Sequence, residues 1–455
     1  MPEFARRLTL LDLVLIGAGG AIGSGIFRTP SQVAAAVPSP AWILAAWALG
    51  GAVTLAGALT FAELGAAMPR AGGQYVWLSE AYGGLVGFLH GWAYFLVVAT
   101  GAIAALAIVF AEYAGYFVPL GPTGTKLVAL GALAALAAVN VVGVRAAAAV
   151  GGALTVIKLA ALAALVALAI WKGAGGGLGV GAGAGVGAGP GPGESAGAGL
   201  GTGAGAGMGV AMIGVLWSYG GWQHASFAAS EAKRPPRDVP LAMVLACALV
   251  TLVYLLANVA YLRLLPLPAI VASPHVASDA VEAAVGRAGG AVVAAAIAVS
   301  ALGTAGIFTL TTPRVYWAMA ERGLFFRGVA DLHPRWRTPV RAILLQTAWA
   351  AVLVLAWGTF ESLVSYVLFV DWLFFGLTGA AVFVLRRRGG APAGYRVPGY
   401  PVVPLAFLGM SLWFLASTLW GQPAQAVAGA ALLALGIPVY LFWKRGGRPG
   451  VESGS

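Results

Sequence analysis

The chain has 455 residues, of which 60% are hydrophobic and only 9% are charged, and its mean hydropathy is +0.90. An ordinary soluble domain carries about 25% charged residues, so this composition excludes a soluble protein and predicts an all-α integral membrane protein. The formal net charge of +11 is compatible with a nucleic-acid partner or with anionic lipid, and the positions of the charges decide between these two.

Hydrophobic stretches long enough to cross a hydrocarbon core of about 30 Å, roughly 20 residues each, recur along the whole chain. The first stretch is too long for the core of a signal peptide and carries Asp12, so we expect it to be retained. Twelve membrane spans are predicted, near residues 8–35, 41–66, 83–111, 126–143, 149–171, 209–232, 240–264, 289–319, 340–358, 361–385, 401–420 and 424–443.

The longest segment between spans is residues 173–208, which consists mostly of glycine and alanine. Such a segment has almost no side chain to bury and much backbone entropy to lose, so it predicts a flexible loop. It separates the first five spans from the remainder of the chain.

The basic residues are distributed unequally between the two ends of the spans. An even number of spans places both termini on one side. Only Lys126, Lys172, Arg263 and Arg287 fall on the opposite side, and Arg28, Lys158 and Arg314 fall within spans. The positive-inside rule therefore predicts cytoplasmic termini in a multi-pass protein of the cell membrane, with the Gly-rich loop outside. Topology and anionic lipid explain the positive charge, and no nucleic-acid partner is expected.

Two predicted spans, the first and the sixth, are interrupted by glycine, a poor helix former. The interruptions read "GAGGAIGSGIF" at residues 17–27 and "LWSYGGW" at residues 216–222. The first is not a dinucleotide-binding loop, because no strand–helix alternation surrounds it. Close helix packing remains an alternative for Gly17, Gly19 and Gly20. Interrupted spans at the start of two groups of five favour a transporter built from inverted repeats.

A break at membrane depth constrains the ligand. The half-helix after the break presents free N–H groups and a positive dipole end, and the half-helix before it presents free carbonyl groups. Free backbone groups are tolerated at this depth only where they line a cavity. A zwitterion satisfies both sets, so the breaks favour an α-amino acid.

Five segments carry a resemblance to a known family: "IGSGIFRTP" (22–30), "FAELGAAMPRAGGQYVWLSEAYG" (61–83), "LWSYGGWQHASFAASEAKRPPRDVPLA" (216–242), "LVYLLANVAY" (252–261) and "LHPRWRTPV" (332–340). Together they resemble the amino acid, polyamine and organocation permease superfamily, nearest its L-type amino acid transporter branch, from the first span to about the tenth. The resemblance implies one transmembrane domain over residues 1–455 with a LeuT-like fold of five-plus-five inverted repeats and discontinuous helices 1 and 6. The repeats would cover about 8–171 and 209–385, with two additional helices at 401–443.

The resemblance also implies where the substrate binds. Its carboxylate is expected at Ser24 and Gly25, and its ammonium at the carbonyls of Ala21, Trp217 and Gly220. Trp217 is the expected gate over the substrate, and an ordinary packing or lipid-facing role is the alternative. The predicted substrate-binding residues are Ala21, Ile22, Gly23, Ser24, Gly25, Ile26, Trp217, Ser218 and Gly220.

Lys158 is the predicted coupling residue. It lies within the fifth span, where an exposed charge is costly, so it should face protein or water, unless it reaches the membrane surface by snorkelling. In sodium-independent relatives a lysine resembling Lys158 occupies the place of a sodium ion, bonded to carbonyls near the first break. We therefore expect no sodium requirement, while exchange and proton symport both remain open.

Four other charged or titratable residues have open roles. His224, close to the sixth-span break, is either a proton carrier or a packing residue. Asp371 in the tenth span faces a vestibule or an unidentified partner. Arg28 is expected to narrow the external path. Glu231 belongs either to a motif resembling an inner gate or to a solvated helix end.

The predicted function is transport of neutral L-amino acids by alternating access. Neutral substrates are expected because the proposed pocket has no carboxylate adjacent to either break, so a cationic side chain would have no counter-ion. The alternatives are an amino-acid-sensing receptor and an antiporter of polyamines or cationic amino acids. An enzyme is not expected, because no HExxH motif, paired metal ligands or nucleophile with a nearby base is present. No metal, cofactor or accessory subunit is expected; the lone Cys247 lies within a span. The oligomeric state is open.

Overall fold

The structure is a computed structural model that describes residues 4–37, 39–172, 204–273, 275–356, 367–389, 394–421 and 423–446. These residues are overwhelmingly helical. The helices of the first half are α1 Leu10–Ala21, α2 Gly25–Ala36, α3 Pro40–Ala67, α4 Gln74–Tyr82, α5 Gly84–Ala93, α6 Ala99–Ala114, α7 Pro122–Val142, α8 Val144–Lys172, α9 Ala204–Tyr219 and α10 His224–Phe227. Those of the second half are α11 Pro235–Leu264, α12 Leu267–Ala272, α13 Val276–Val285, α14 Arg287–Thr311, α15 Pro313–Glu321, α16 Val340–Ala356, α17 Val367–Arg387, α18 Val402–Gly421 and α19 Pro423–Gly446.

The helices agree with the predicted spans. Within the described ranges, 9 helical segments are long and apolar enough to cross a membrane, and α1 with α2 makes a tenth as a bent pair. The third span is α5 and α6 joined by a π-helical turn, Tyr94–Val98. The two remaining predicted spans correspond to α9 with α10, and to α16, an apolar helix of 17 residues. The all-α membrane architecture is confirmed.

The first span is broken as its glycine content predicts. Helix α1 begins with a capping box in which the Thr9 hydroxyl accepts from the Asp12 amide and the Asp12 carboxylate accepts from the Thr9 amide. Asp12 therefore stabilises the helix start, because it satisfies an N–H group that has no helical partner. The helix ends at Ala21, and α2 continues at an angle of 43° after three non-helical residues.

The spans pack as two groups. One group contains the first, second, sixth and seventh spans, with α3 against α11, α1 against α11 and α2 against α9. The other contains the third, fourth, eighth and ninth spans, with α14 and α7 against α6, and α16 against α7. Helix α8 contacts α1 and α11 of the first group and α14 of the second. The fifth span therefore lies where the groups meet.

The two broken spans touch through their glycines. A Cβ atom on Gly20 would lie 2.8 Å from the carbonyl oxygen of Gly221, and one on Gly221 would lie 2.3 Å from that of Gly20. Gly221 also has φ +117°, which favours glycine. A Cβ on Gly25 would lie 2.6 Å from the Ser218 hydroxyl oxygen. The sequence offered a helix break and close helix packing as alternative roles for these glycines, and the structure shows both.

The Gly-rich loop prediction falls on residues that lie mostly outside the described ranges. Helix α9 begins at Ala204, inside the predicted 173–208 loop. This early turn packs closely against α2, since a Cβ on Gly207 would lie 2.0 Å from the carbonyl oxygen of Ala36. The repeat boundaries remain predictions.

Aromatic contacts mark the two ends of the bundle. We call the end with Phe4, Trp317, Phe326 and Trp443 the terminal face, because Phe4 and Trp443 lie near the two ends of the described chain. Phe4 packs edge-on against Trp317, and Phe326 against Trp443. The distal face is the opposite end, where Arg28 pairs with Glu112 and the Tyr113 hydroxyl bonds to the His275 ring.

Candidate functional site

A cavity lies between the two breaks, with a volume of about 70 Å³. One water molecule needs ~10–15 Å³ on this measure, so the cavity has room for a small molecule. Its walls come from the first, third, sixth, eighth and tenth spans. The predicted substrate residues that line it are Ala21, Gly23, Ser24, Gly25, Trp217, Ser218 and Gly220.

Two predicted substrate residues do not line the cavity. Ile22 and Ile26 are fully buried, and their carbonyl groups have protein partners. The Ile22 carbonyl accepts from Lys158, and the Ile26 carbonyl accepts from the Tyr261 hydroxyl. Both side chains are packed in the protein core around the break, so these residues support the break and do not form the cavity wall.

The start of α2 presents backbone donors. Within the described residues, the amides of Ser24, Gly25 and Ile26 donate no hydrogen bond, and the Ser24 side chain does not cap the helix. The first amides of a helix have no acceptor within it. Since Ser24 and Gly25 line the cavity, these groups can meet an anionic ligand group at the positive end of the helix dipole.

The three carbonyl groups predicted to take an ammonium differ in their free capacity. The Ala21 carbonyl already accepts from the Gly23 amide at 2.8 Å and from the Tyr254 hydroxyl at 2.9 Å. The Trp217 carbonyl accepts from the Gly220 amide at 3.1 Å, whereas the Gly220 carbonyl accepts from no group in the described ranges. A carbonyl oxygen accepts two hydrogen bonds, so in this conformation Gly220 and Trp217 retain capacity. Ala21 retains it only when the single Tyr254 proton is directed to the Ser218 carbonyl instead.

Lys158 is completely buried beside the first break. Its Nζ lies 3.0 Å from the Gly19 carbonyl oxygen, 2.6 Å from that of Ile22, 3.3 Å from that of Ser300 and 2.8 Å from the Thr304 hydroxyl. The side chain therefore does not snorkel to the membrane surface. A buried ammonium needs such hydrogen-bond partners. The bonds of Lys158 connect α8 to α1 and α14.

The eighth span supports the same break through two hydroxyl groups. The Ser300 hydroxyl oxygen lies 3.2 Å from the Ile22 carbonyl oxygen and 3.3 Å from that of Gly23, and its single proton can be donated to either. The Thr304 hydroxyl lies 2.9 Å from the carbonyl oxygens of both Gly19 and Ile22. The carbonyls exposed by the end of α1 are thus satisfied by side chains from two other spans.

Trp217, the predicted gate, is half-buried and lines the cavity from the end of α9. His224 does not line it. The centroids of the His224 and Phe308 rings lie 4.0 Å apart, and the Nδ1 atom of His224 forms a hydrogen bond with the Thr311 hydroxyl. These contacts correspond to the packing alternative for His224.

Sequence reasoning missed three polar residues at the site. The Tyr254 hydroxyl lies 2.9 Å from the Ala21 carbonyl oxygen and 2.8 Å from that of Ser218, so it bridges the two broken spans. Gln223 accepts from the Gly221 amide and donates to the Tyr94 hydroxyl, which lines the cavity. Tyr254 and Gln223 belong to the segments 252–261 and 216–242 that carry the family resemblance, and this was their signal in the sequence.

Asp371 corrects the interpretation that no carboxylate lies near the breaks. It lines the same cavity from α17. Its Oδ1 is buried without a hydrogen-bond partner among the described residues. The tenth span is about 150 residues from the sixth-span break in the sequence, and only helix packing brings it to the site.

The terminal face is closed by a buried ion pair. The Arg314 guanidinium makes two bonds of 2.9 Å to the two carboxylate oxygens of Glu231, and both side chains are 0% exposed. The Glu231 carbonyl accepts from the amides of Arg7 and Leu8, at 2.8 and 2.9 Å. This joins the segment before α1 to the end of the sixth span.

The sequence matches known transporters along nearly its whole length. The family model described as amino acid permease matches residues 8–443. The chain is 31% identical over 444 residues to the serine/threonine exchanger SteT of Bacillus subtilis, covering 97% of each chain. It is 30% identical to the human large neutral amino acids transporter small subunit 2, covering 96% of this chain and 81% of the other. It is 28% identical to the mouse Asc-type amino acid transporter 1, covering 96% and 82%. These relatives are transporters, not enzymes.

Proposed function

This chain belongs to the amino acid permease family, in the amino acid, polyamine and organocation superfamily and related to the L-type transporters, and from that premise we propose that it is a sodium-independent exchanger of neutral L-amino acids. It works by alternating access around the cavity between the two breaks. The zwitterionic part of the substrate binds backbone groups. The carboxylate meets the amides of Ser24 and Gly25, and the ammonium meets the carbonyls of Trp217 and Gly220.

The names of the relatives support this substrate class. One is named for serine and threonine, and another for large neutral amino acids. Exchange is the mode named for the first of these. Trp217, on the cavity wall, closes over the bound amino acid.

The position of Lys158 carries the proposal of sodium independence. Its ammonium is surrounded by the carbonyl oxygens of Gly19, Ile22 and Ser300 and the Thr304 hydroxyl. Carbonyl and hydroxyl oxygens are the groups that would hold a hard cation. The Lys158 ammonium occupies the position among these oxygens that a sodium ion would need, so no ion has to bind together with the substrate.

The orientation follows from the charge distribution. The excess of Lys and Arg on the terminal side supports cytoplasmic termini, in a protein that we place in the cell membrane. Cys247 is buried in α11 and is not an attachment point for another subunit. We propose that the chain transports without an accessory subunit.

The test is uptake by the purified protein in liposomes. A radiolabelled mixture of L-alanine, L-serine, L-threonine and L-leucine is supplied outside vesicles that are either empty or loaded with the unlabelled mixture, in sodium chloride or in choline chloride. We expect uptake into loaded vesicles only, at equal rates in both salts. Lys158→Ala should lose most of this uptake, whereas Lys172→Ala, which changes an exposed lysine at the end of the same helix, should keep it.

Each other outcome has a defined meaning. Uptake that requires sodium would refute the role of Lys158. Uptake into empty vesicles driven by an inward proton gradient would show proton symport instead of exchange. Retained amino acid binding without flux in any vesicle would instead support a sensor on the same fold.

A further inference from the structure

We propose that the Asp371 carboxylate binds the side chain of the substrate and selects amino acids with a short side chain that carries a hydroxyl group. This inference rests on the proposed function, since it assigns a substrate class to the same cavity. It predicts that serine and threonine are transported in preference to alanine and valine, which have the same size without the hydroxyl group.

Asp371 is the polar member of an otherwise apolar helix face. The residues of α17 that line the cavity are Leu368, Asp371, Trp372 and Phe375, which are spaced as one face of a helix. The third span adds apolar side chains to the wall, among them Val98 and Leu106. A carboxylate therefore projects into a mostly apolar space, where its effect on a ligand is large.

The carboxylate is not explained by the folded protein alone. Its Oδ1 is buried and accepts no hydrogen bond, and none of the ion pairs in the described ranges includes Asp371. Buried carboxylate oxygens almost always have a partner, because an unpaired one is costly. Of the other buried carboxylates in the described ranges, those of Glu231 and Glu63 accept hydrogen bonds from an arginine, and that of Asp238, which accepts no hydrogen bond, lies 3.5 Å from the Arg234 guanidinium. A ligand that donates a hydrogen bond would supply the missing partner.

The charges near the cavity favour a neutral hydroxyl group over a cationic side chain. When both are ionised, Lys158 beside the first break carries one positive charge and Asp371 on the cavity wall carries one negative charge. With a zwitterion bound, these charges sum to zero. A cationic side chain would leave a net positive charge at membrane depth, which is costly. The small volume of about 70 Å³ also favours a short side chain.

The competing substrates can be matched in size. Threonine and valine are nearly isosteric, and serine and alanine differ by one hydroxyl oxygen. A site that bonds a substrate hydroxyl rejects the analogue without it, because its own buried group is then left unpaired. We expect loaded vesicles to take up threonine at least about 10-fold faster than valine at limiting concentration, as for a hydrogen bond to a charged group.

The variants Asp371→Leu and Asp371→Asn test the assignment. In Asp371→Leu the threonine-to-valine ratio should fall to about one while valine uptake persists, and in Asp371→Asn an intermediate ratio should remain, since the amide oxygen still accepts. Thr378→Val is the control. Thr378 is a buried hydroxyl on the same helix that does not line the cavity, so the ratio should stay as in the wild type.

Failure of this inference is distinguishable from failure of the proposed function. Absence of all amino acid uptake by the wild type would overturn the function. Equal uptake of threonine and valine by an active wild type, or an unchanged ratio in Asp371→Leu, would overturn the inference alone. Faster uptake of 2,3-diaminopropionate than of serine would show that Asp371 pairs with a cation and would also overturn the hydroxyl assignment. If Asp371→Leu does not fold, the threonine-to-valine ratios of the wild type and of Asp371→Asn test the inference.

Discussion

The two faces of the bundle are closed by ion pairs of very different character. At the terminal face, Glu231 and Arg314 are both 0% exposed and form two bonds of 2.9 Å. At the distal face, Arg28 and Glu112 form one bond of 2.8 Å with side chains that are 20% and 41% exposed. Exposed pairs contribute little because water screens them, whereas separating a buried pair leaves uncompensated charge.

The difference indicates which face resists opening in this conformation. The buried pair links the end of the sixth span to the eighth span, and the backbone of Arg7 and Leu8 is bonded to the same glutamate residue. The exposed pair links α2 to the end of α6. We therefore expect the distal face to open more readily than the terminal face, and variants of the two pairs measure that asymmetry.

The largest effect is expected at Glu231. Glu231→Gln leaves the Arg314 charge buried without its counter-charge, which should lower the free energy of unfolding by about 3–5 kcal/mol. Thermal unfolding in detergent measures it. The double variant Glu231→Met, Arg314→Met removes both charges and should recover much of the loss. A double variant less stable than the single one would contradict this explanation.

A smaller effect is expected at Glu63, at the terminal end of α3. Its carboxylate accepts from two guanidinium nitrogens of Arg386, at 2.7 and 2.6 Å, and from the Val397 amide at 2.7 Å. Glu63→Gln replaces charge-assisted bonds by neutral ones and should cost about 1.5–3 kcal/mol, because Arg386 remains partly exposed and retains water. Thermal unfolding under the same conditions ranks it against Glu231→Gln. A loss equal to that of Glu231→Gln would show that burial does not set the difference.

Between the faces, Tyr254→Phe tests the bridge between the broken spans. The variant removes the hydroxyl that lies near the carbonyls of Ala21 and Ser218, and it should cost about 1 kcal/mol of stability and weaken amino acid binding. Equilibrium binding to the purified protein measures the second effect. Tyr261→Phe, which loses one longer bond of 3.3 Å to Ile26, is the matched control and should bind more tightly than Tyr254→Phe.

The smallest effect is expected at the distal pair. Arg28→Gln should change stability by less than about 1 kcal/mol. It should alter the exchange rate more at low salt than at high salt, because salt screens the exposed pair already present in the wild type. Exchange measured at two ionic strengths checks this. A rate change that is independent of salt would mean that Arg28 acts through contacts other than the pair with Glu112.

The sequence by itself determined the membrane class, the spans and the two breaks. Length and apolarity of a stretch are local properties, and so is the low helix propensity of glycine, so residues 22–24 and 220–223 could be recognised before any packing was known. The family motifs then indicated the site, and seven of the predicted residues, including Ser24 and Trp217, line the cavity. The sequence also predicted that Lys158 faces protein or water, with snorkelling to the membrane surface as the alternative, and the structure shows the side chain buried in protein.

Only the tertiary structure decided which distant side chains complete the site. Asp371 and Tyr254 reach the breaks because α17 and α11 pack beside them, and Ile22 and Ile26 turn into the core because of the bend between α1 and α2. The pairing of Glu231 with Arg314 likewise depends on the contact between the sixth and eighth spans. Such contacts join residues far apart in the chain, and local patterns of hydropathy do not contain that information.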